Sequence, residues 1–246
     1  IQKFDIFHKI KVGKPFATSG QATTKKDIKM KLSTLVATLT VVIASGCCMS
    51  PAMADSNRTI DKVLGSAVVG SQQHYGDISL VNGSIQMASD SSAKAISTVN
   101  GSIELRDNVQ LDSASTVNGG ISSGDNLHVN ADVSIVNGKF LPGAKATIGG
   151  SIETVNGDIR LHDGKIGRDI STVNGDISLS GNTLVQGDIV FKPRGKKKSF
   201  LGWTNDKTPT LEIGANVTVQ GNIVLQQDVT LKLENPALQD KVVRRD

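Results

Sequence analysis

Ser171-Thr172-Val173-Asn174-Gly175-Asp176-Ile177 decides the fold, because close variants of this phrase precede it five times. Its Val-Asn-Gly core begins at Val81, Val99, Val117, Val136, Val155 and Val173, in steps of 18, 18, 19, 19 and 18 residues. A fixed short period signals a repeat architecture, in which each unit buries its apolar face against its neighbours. In the period from Val99 to Thr116, the apolar Val99, Ile103, Leu105, Val109 and Leu111 mostly alternate with polar residues, which is strand patterning. Asn100-Gly101 and Asp107-Asn108 are turn signals, since Asn and Gly tolerate positive φ. No stretch of the repeat carries a helical stripe. A coil that returns to its start through strands and tight corners is an all-β, single-stranded parallel β-helix, a β-solenoid of about 18 residues per turn. We expect a right-handed winding, with turns stacked ~4.8 Å apart.

Stacking places equivalent residues in files. Asn82, Asn100, Asn118, Asn137, Asn156 and Asn174 are expected to form one file whose amides bond in register, as in cross-β asparagine ladders. The Val and Ile of the phrase are expected to form apolar files inside. The asparagines therefore read as corner and ladder residues rather than as a ligand motif.

The chain before the repeat reads as a leader. Residues 1–29 carry no initiator Met and no coherent pattern, and read as upstream translated sequence rather than native protein. Met30 opens a secretory signal peptide over 30–54: Lys29 and Lys31, an apolar run from Leu32 to Ala44, then Ala52-Met53-Ala54 before Asp55. That run is short for a membrane span. Ile43-Ala44-Ser45-Gly46-Cys47 gives a second reading, a lipobox that would lipidate Cys47 and tether the protein to a membrane. Both readings export the chain, to the periplasm, outer membrane or exterior.

The leader also explains the charge. The chain has 27 basic and 23 acidic residues, but residues 1–54 hold eight Lys against two Asp. The part from Asp55 onward has 19 basic and 21 acidic residues, so its balance gives no reason to expect nucleic acid. Aromatic residues make up 3% of the chain, too few for a base-stacking platform. Both cysteines, Cys47 and Cys48, lie in the leader, leaving no disulfide framework or thiolate metal site beyond it.

Residues 55–246 are read as one solenoid domain, with coils from about Val63 to Val190. Ile60, Val63 and Leu64 are expected to cover the first coil. The extra residue of the two longer steps is placed near Ser134-Ile135 and Gly149-Gly150, as a bulge or longer corner. Phe191 to Thr210 breaks the rhythm. Two prolines, two glycines and the cations Lys192, Arg194, Lys196, Lys197 and Lys198 mark 192–210 as a loop thrown out from one corner. Phe200 and Trp203 add the residue types that bind sugars, acidic polymers or membrane surfaces. Rhythm resumes at Leu211-Glu212-Ile213-Gly214, and 234–246 is read as a cap, with a short helix over Pro236 to Val243.

Short Gly-[Asp/Asn]-Ile coils of this length resemble the bactofilin-type, polymer-forming β-helix proteins of bacteria. The repeated Thr-Val-Asn-Gly behind a leader, the Lys/Pro/Trp loop and the Leu-x-Ile-Gly ending are more similar to a group of exported β-solenoid proteins of Gram-negative bacteria. The resemblance covers about Gly76 to Leu233, and its motifs imply a fold more than a chemistry. Bactofilins are cytoplasmic and have no leader, and the chain departs from them there.

Chemical motifs are sparse. His74, His128 and His162 have neither metal-ligand nor nucleophile spacing. Hexapeptide acyltransferases also wind in 18-residue coils around a His, which makes His128 or His162 candidates, but they use cytosolic acyl donors. Asp158 and Asp176 hold the same position in adjacent coils, near the ~5 Å separation of retaining glycosidase carboxylates. Two like charges so close would raise one pKa or recruit a cation such as Ca²⁺; alternatively both accept backbone N–H bonds at a corner.

The reading is a non-enzymatic structural or surface-interaction protein of the cell envelope, needing no cofactor or metal. Lys192, Arg194, Lys196, Lys197, Lys198 and Trp203 would meet an envelope polysaccharide or protein partner, and the ends, if not capped, would support end-to-end self-association. The alternative is a polysaccharide-binding or polysaccharide-active solenoid using Asp158, Asp176 and the Lys192–Trp203 loop. Mass spectrometry of the protein recovered from cells is expected to give Asp55 as the first residue. A diacylglyceryl group on Cys47 would replace that reading with a membrane anchor.

Overall fold

The computed structural model describes residues 58–194 and 207–245. The upstream segment 1–29, the signal peptide read over 30–54 with the lipidation site Cys47, and Lys196, Lys197, Lys198 and Trp203 lie outside the described residues.

The chain winds into a parallel β-solenoid of three faces. The first face stacks ten strands, from Ile60–Leu64 and Ile78–Asn82 at one end to Ile223–Leu225 and Val242–Arg244 at the other. The second face is a nine-stranded sheet running from Ala67–Val69 to Thr230–Leu233. The third face is built of two-residue strands such as His128–Val129, Thr147–Ile148 and Lys165–Ile166. Every strand pairing is parallel, and Ile78 faces Ile96 as Ile85 faces Ile103, 18 residues on.

Alternation explains what each strand buries. On the second face Ile103 and Leu105 point in and Glu104 points out. Ile85, Ile103, Ile121, Phe140, Ile159 and Ile177 form one inward file, each at 1% exposure or less. Burying one such side chain is worth ~1.5–3 kcal/mol. The described core is a single apolar cluster from Ala67 to Leu238.

One inward file differs from the sequence expectation. On the first face Thr98, Thr116, Thr154 and Thr172 point in, and the valines of the phrase point out, half-buried. The reason is register: the Asn-Gly corner fixes the strand's phase, so Ile96 and Thr98 share the inner side and Val99 falls on the other. Thr98 Oγ1 donates to the Gly83 carbonyl at 2.9 Å. The hydroxyls of Thr154 and Thr172 are buried without a partner.

Both longer steps arise at the corner between the third and first faces. Leu111 pairs with Val129 but Ala114 pairs with Val133, so the first added residue lies between Val129 and Val133, just ahead of the expected Ser134-Ile135. The strands Ser92–Asn100 and Gln110–Asn118 run straight through that corner. The second step turns at Gly149 and Gly150, where expected, between Ile148 and Ile152.

The ends also differ. Ile60–Leu64 is a strand on the edge of the first face, with Leu64 75% exposed, rather than a cover for the first coil. At the other end Asn235 caps a 3₁₀ helix, Pro236–Lys241, by accepting from the Ala237 N–H at 3.1 Å. Leu238 plugs the core beneath it. The β-branched Val242 and Val243 then form a strand with Ile223–Leu225 instead of extending a helix.

The phrase's glycines set the closest approach between turns. A Cβ at Gly83, Gly101, Gly119, Gly138, Gly157 or Gly175 would strike the backbone carbonyl of the equivalent glycine one turn below. Gly164, by contrast, has room for one at ordinary contact distance. Overpacking of this kind costs ~1–3 kcal/mol. Gly101→Ala is therefore expected to lower Tm by several degrees, at ~2–4 °C per kcal/mol, and Gly164→Ala to leave it within about a degree. Equal effects at the two sites in thermal melts would contradict this packing.

Candidate functional site

The corner between the first and second faces carries most of the residues singled out from the sequence. Each turn enters it from the first face through Val-Asn-Gly, and the asparagines stack there. Asn100 Nδ2 donates to Asn82 Oδ1 at 2.8 Å, and Asn118 to Asn100 at 2.9 Å. The file continues through Asn137, Asn156 and Asn174 at 2.9, 2.7 and 2.9 Å. Each inner amide therefore donates one bond and accepts another, worth ~0.5–1.5 kcal/mol net per bond.

Asp158 and Asp176 follow the glycines in this corner, one rung apart. The Asp176 N–H donates to Asp158 Oδ1 at 3.2 Å, and the Thr210 N–H donates to Asp176 Oδ1 at 2.8 Å. Each spare oxygen meets its own lysine: Asp158 Oδ2 meets Lys139 at 2.9 Å and Asp176 Oδ2 meets Lys207 at 2.7 Å. Burial pushes the Asp158 carboxyl up, but hydrogen bonds from Lys139 and the Asp176 N–H, with the charges of Lys139 and Arg160, hold it below the usual range. The Lys207 ammonium is held above its ordinary value by its bond to Asp176. The Asp158 carboxyl is thus kept ionised, whereas a general acid must be held protonated.

The interrupting loop leaves from the same corner. It departs after Ile189–Phe191 and returns at Thr210–Ile213, where the next Asn-Gly would otherwise lie. Its described base is braced rather than free. Lys192 Nζ sits 3.3 Å from Glu153 Oε1, and Arg194 Nη2 donates to the Lys207 carbonyl at 2.6 Å. Gln227 Nε2 donates to the carbonyls of Val173 and Lys192 at 2.6 and 2.9 Å, which satisfies backbone left open where the ladder stops.

The histidines lie elsewhere. His74 Nδ1 is 2.7 Å from Ser92 Oγ, lining a shallow surface hollow of about 300 Å³ with Tyr75, Lys94 and Asp112. His128 points outward from the third face. His162 Nδ1 is 3.1 Å from Ser180 Oγ, and its Nε2 is 3.4 Å from Asp163 Oδ2. No group of three or more His, Cys, Asp or Glu among the described residues could hold a metal ion.

The turn signal at Asp107-Asn108 holds, with Asn108 at φ 59°, but two wider features escaped the sequence reading. Gln72, Asp90, Asn108, Asn126, Lys145 and Asp163 all have φ near +60°, forming a second corner file. Its 18- or 19-residue spacing was present in the sequence, hidden by Gln72 and Lys145, which seldom adopt that conformation. The Asn182 N–H donates to Asp163 Oδ1 and so holds that carboxyl below its usual range. Lys241 Nζ, which caps the carbonyls of Val219 and Gln220 at the end of the third face, left no periodic signal. No protein-family model matches the chain, and neither a curated protein nor a solved structure matches it significantly.

The Asp158 geometry fixes a pH dependence. A folded-state pKa below the unfolded value contributes stability that is present above the unfolded value, ~3.9, and lost as pH falls through the folded one. Partly exposed pairs of this kind contribute ~0–1 kcal/mol. Asp158→Asn is expected to lower Tm slightly at neutral pH, with the difference shrinking below the ordinary carboxylate range. A difference that grows on acidification would refute this assignment.

Proposed function

We propose that the protein is a non-enzymatic, exported structural scaffold of the bacterial cell envelope, acting through its faces, its ends and the Lys192–Trp203 loop. The supporting observation is the continuous stacking: ten rungs on the first face, one apolar cluster, and an unbroken chain of amide bonds from Asn82 to Asn174. Such a body resists bending and presents its outward side chains at fixed intervals. The leader read at 30–54 and the likeness to exported solenoid proteins support the location. Lipidation of Cys47 would add a membrane tether.

The ends support self-association. Among the described residues no strand pairs with the outer side of Ile60–Leu64. Val63, Leu64 and Val68 are exposed beside that edge. An uncovered parallel edge is a template for another strand, and Val242–Arg244 at the opposite end offers one in the same orientation. Joining the two would extend the sheet from copy to copy, and requires the Pro236–Lys241 helix, whose Leu238 plugs the core, to swing off that end. The cations read at Lys196, Lys197 and Lys198 would meet an acidic envelope polysaccharide or protein.

Light scattering and electron microscopy of the purified full chain test this reading. Strings of end-joined particles are expected, lengthening with concentration and shortened by Leu64→Lys. A monodisperse monomer at the highest attainable concentration would exclude the end-to-end part.

A further inference from the structure

All six phrase corners read Val-Asn-Gly, so as free peptide they would share one chemical reactivity. Asparagine is a thermolabile residue, most of all before glycine, where no side chain hinders the backbone nitrogen that follows. That nitrogen can attack the carbon of the side-chain amide. The fold restrains five of the six corners. The N–H groups of Gly83, Gly101, Gly119, Gly138 and Gly157 donate to the carbonyls of Asn100, Asn118, Asn137, Asn156 and Asn174, one turn on, at 2.9, 3.0, 2.9, 2.9 and 2.9 Å. A nitrogen held this way is a poor nucleophile, and its corner cannot turn toward the amide.

Asn174-Gly175 is restrained on one side only. The Asn174 side chain donates to Asn156 Oδ1 at 2.9 Å, and its backbone N–H donates to the Val155 carbonyl at 2.7 Å. The next turn carries no such corner. Counting back from the Ile177–Leu211 pair, Thr208 and Pro209 stand where its Asn and Gly would be. Among the described residues, neither the Gly175 N–H nor Asn174 Oδ1 has a hydrogen-bond partner. To turn, Asn100, Asn118, Asn137 and Asn156 must each break two amide bonds, and Asn174 breaks one. Asn82, at the far end of the file, also has one, but the Gly83 N–H beside it is held.

We propose that Asn174-Gly175 is a spontaneous modification site, where the backbone converts asparagine to aspartate and isoaspartate while the ladder shields the other five corners. The Gly175 nitrogen loses its proton to solvent and bonds to Asn174 Cγ. The Cγ–Nδ2 bond breaks, and Nδ2 leaves as ammonia. Water then opens the resulting succinimide at either carbonyl, giving aspartate or isoaspartate. Either product adds a carboxylate, and isoaspartate also routes the main chain through the side-chain carbon, lengthening the corner. The site lies at the root of the inserted segment. Gln227 holds the Val173 carbonyl on one side of it, and Asp176 takes the Thr210 N–H and Lys207 on the other. Conversion therefore acts on the attachment of that segment and leaves the rungs below it bonded.

The test holds the purified full chain, folded, at mildly alkaline pH and follows it by peptide mass spectrometry with isoaspartate detection. Because protection from local opening differs across a fold, conversion at Asn174 is expected at least about tenfold faster than at Asn100, Asn118, Asn137 or Asn156. In the urea-unfolded chain all six are expected to react at similar rates. Asn174→Gln, whose longer side chain closes the ring far more slowly, is expected to remove the early acidic species on ion exchange and to leave the other corners unchanged. Surface exposure alone ranks the sites the other way, since Asn174 is half-buried and the other five asparagines are exposed. Even conversion across the six in the folded chain, or an Asn174 as slow as Asn118, would overturn the proposal. So would an excess at Asn174 that persists unchanged in urea.

Discussion

At the Asn-Gly corner the backbones of successive turns come so close that one added carbon would strike a carbonyl oxygen. That contact fixes the register of everything else. With glycine on glycine, each asparagine amide lies within bonding distance of the next, and Ile103 falls on Ile85 and Ile121. A slip of one residue would turn each inward file to solvent and set side chains where the turns touch. The ladder's bonds are individually modest because they lie at the surface, and the apolar files supply most of the stabilisation. What the corner contributes is uniqueness of winding.

The same logic explains where the solenoid tolerates change. A face cannot be interrupted without losing a rung, but a corner can, because the strands on either side still find their partners. Ile177 pairs with Leu211 across the inserted segment as directly as Ile159 pairs with Ile177. The closure entropy of a longer loop grows only slowly with its length. The segment leaves where the asparagine file ends, and local groups replace what the file supplied: Gln227 takes up the open carbonyls, and Asp176 accepts from Thr210 and Lys207. The two aspartates that matched a catalytic spacing thus belong to the bracing of this corner. The proposed scaffold role would use this division into rigid faces and variable corners.

Winding was readable from the sequence because it rests on period, and period survives substitution. The Asn file needed only that equivalent positions stack. Side-chain direction was harder. In Ser-Thr-Val-Asn the two middle residues are both β-branched, so strand propensity does not say which turns inward, and hydrophobicity favours Val, which the structure turns outward. The glycine contact resolves the choice, and that contact is visible only in three dimensions. The corner elongation between Val129 and Val133 was misplaced for a similar reason, since a step length gives a total and not the position of the added residue. At the end of the chain, Asn235-Pro236 is a helix start that held for six residues, after which Val242 and Val243 followed the open edge of the sheet. That Asp158 and Asp176 accept backbone N–H bonds at a corner was among the sequence readings and holds; which lysines pair with them was beyond reach, because Lys139 and Lys207 belong to different turns and Lys207 returns from an insertion.

The solenoid rests on parallel, in-register stacking of the asparagine corner, and nuclear magnetic resonance of the labelled protein tests that stacking directly. Through-space contacts are predicted between the side-chain amide of each phrase asparagine and that of the next, Asn82 to Asn100 through Asn156 to Asn174, with matching contacts between Ile103 and Ile121. Contacts linking strands adjacent in sequence in antiparallel order, or asparagine amides with no neighbour of their own kind, would contradict it.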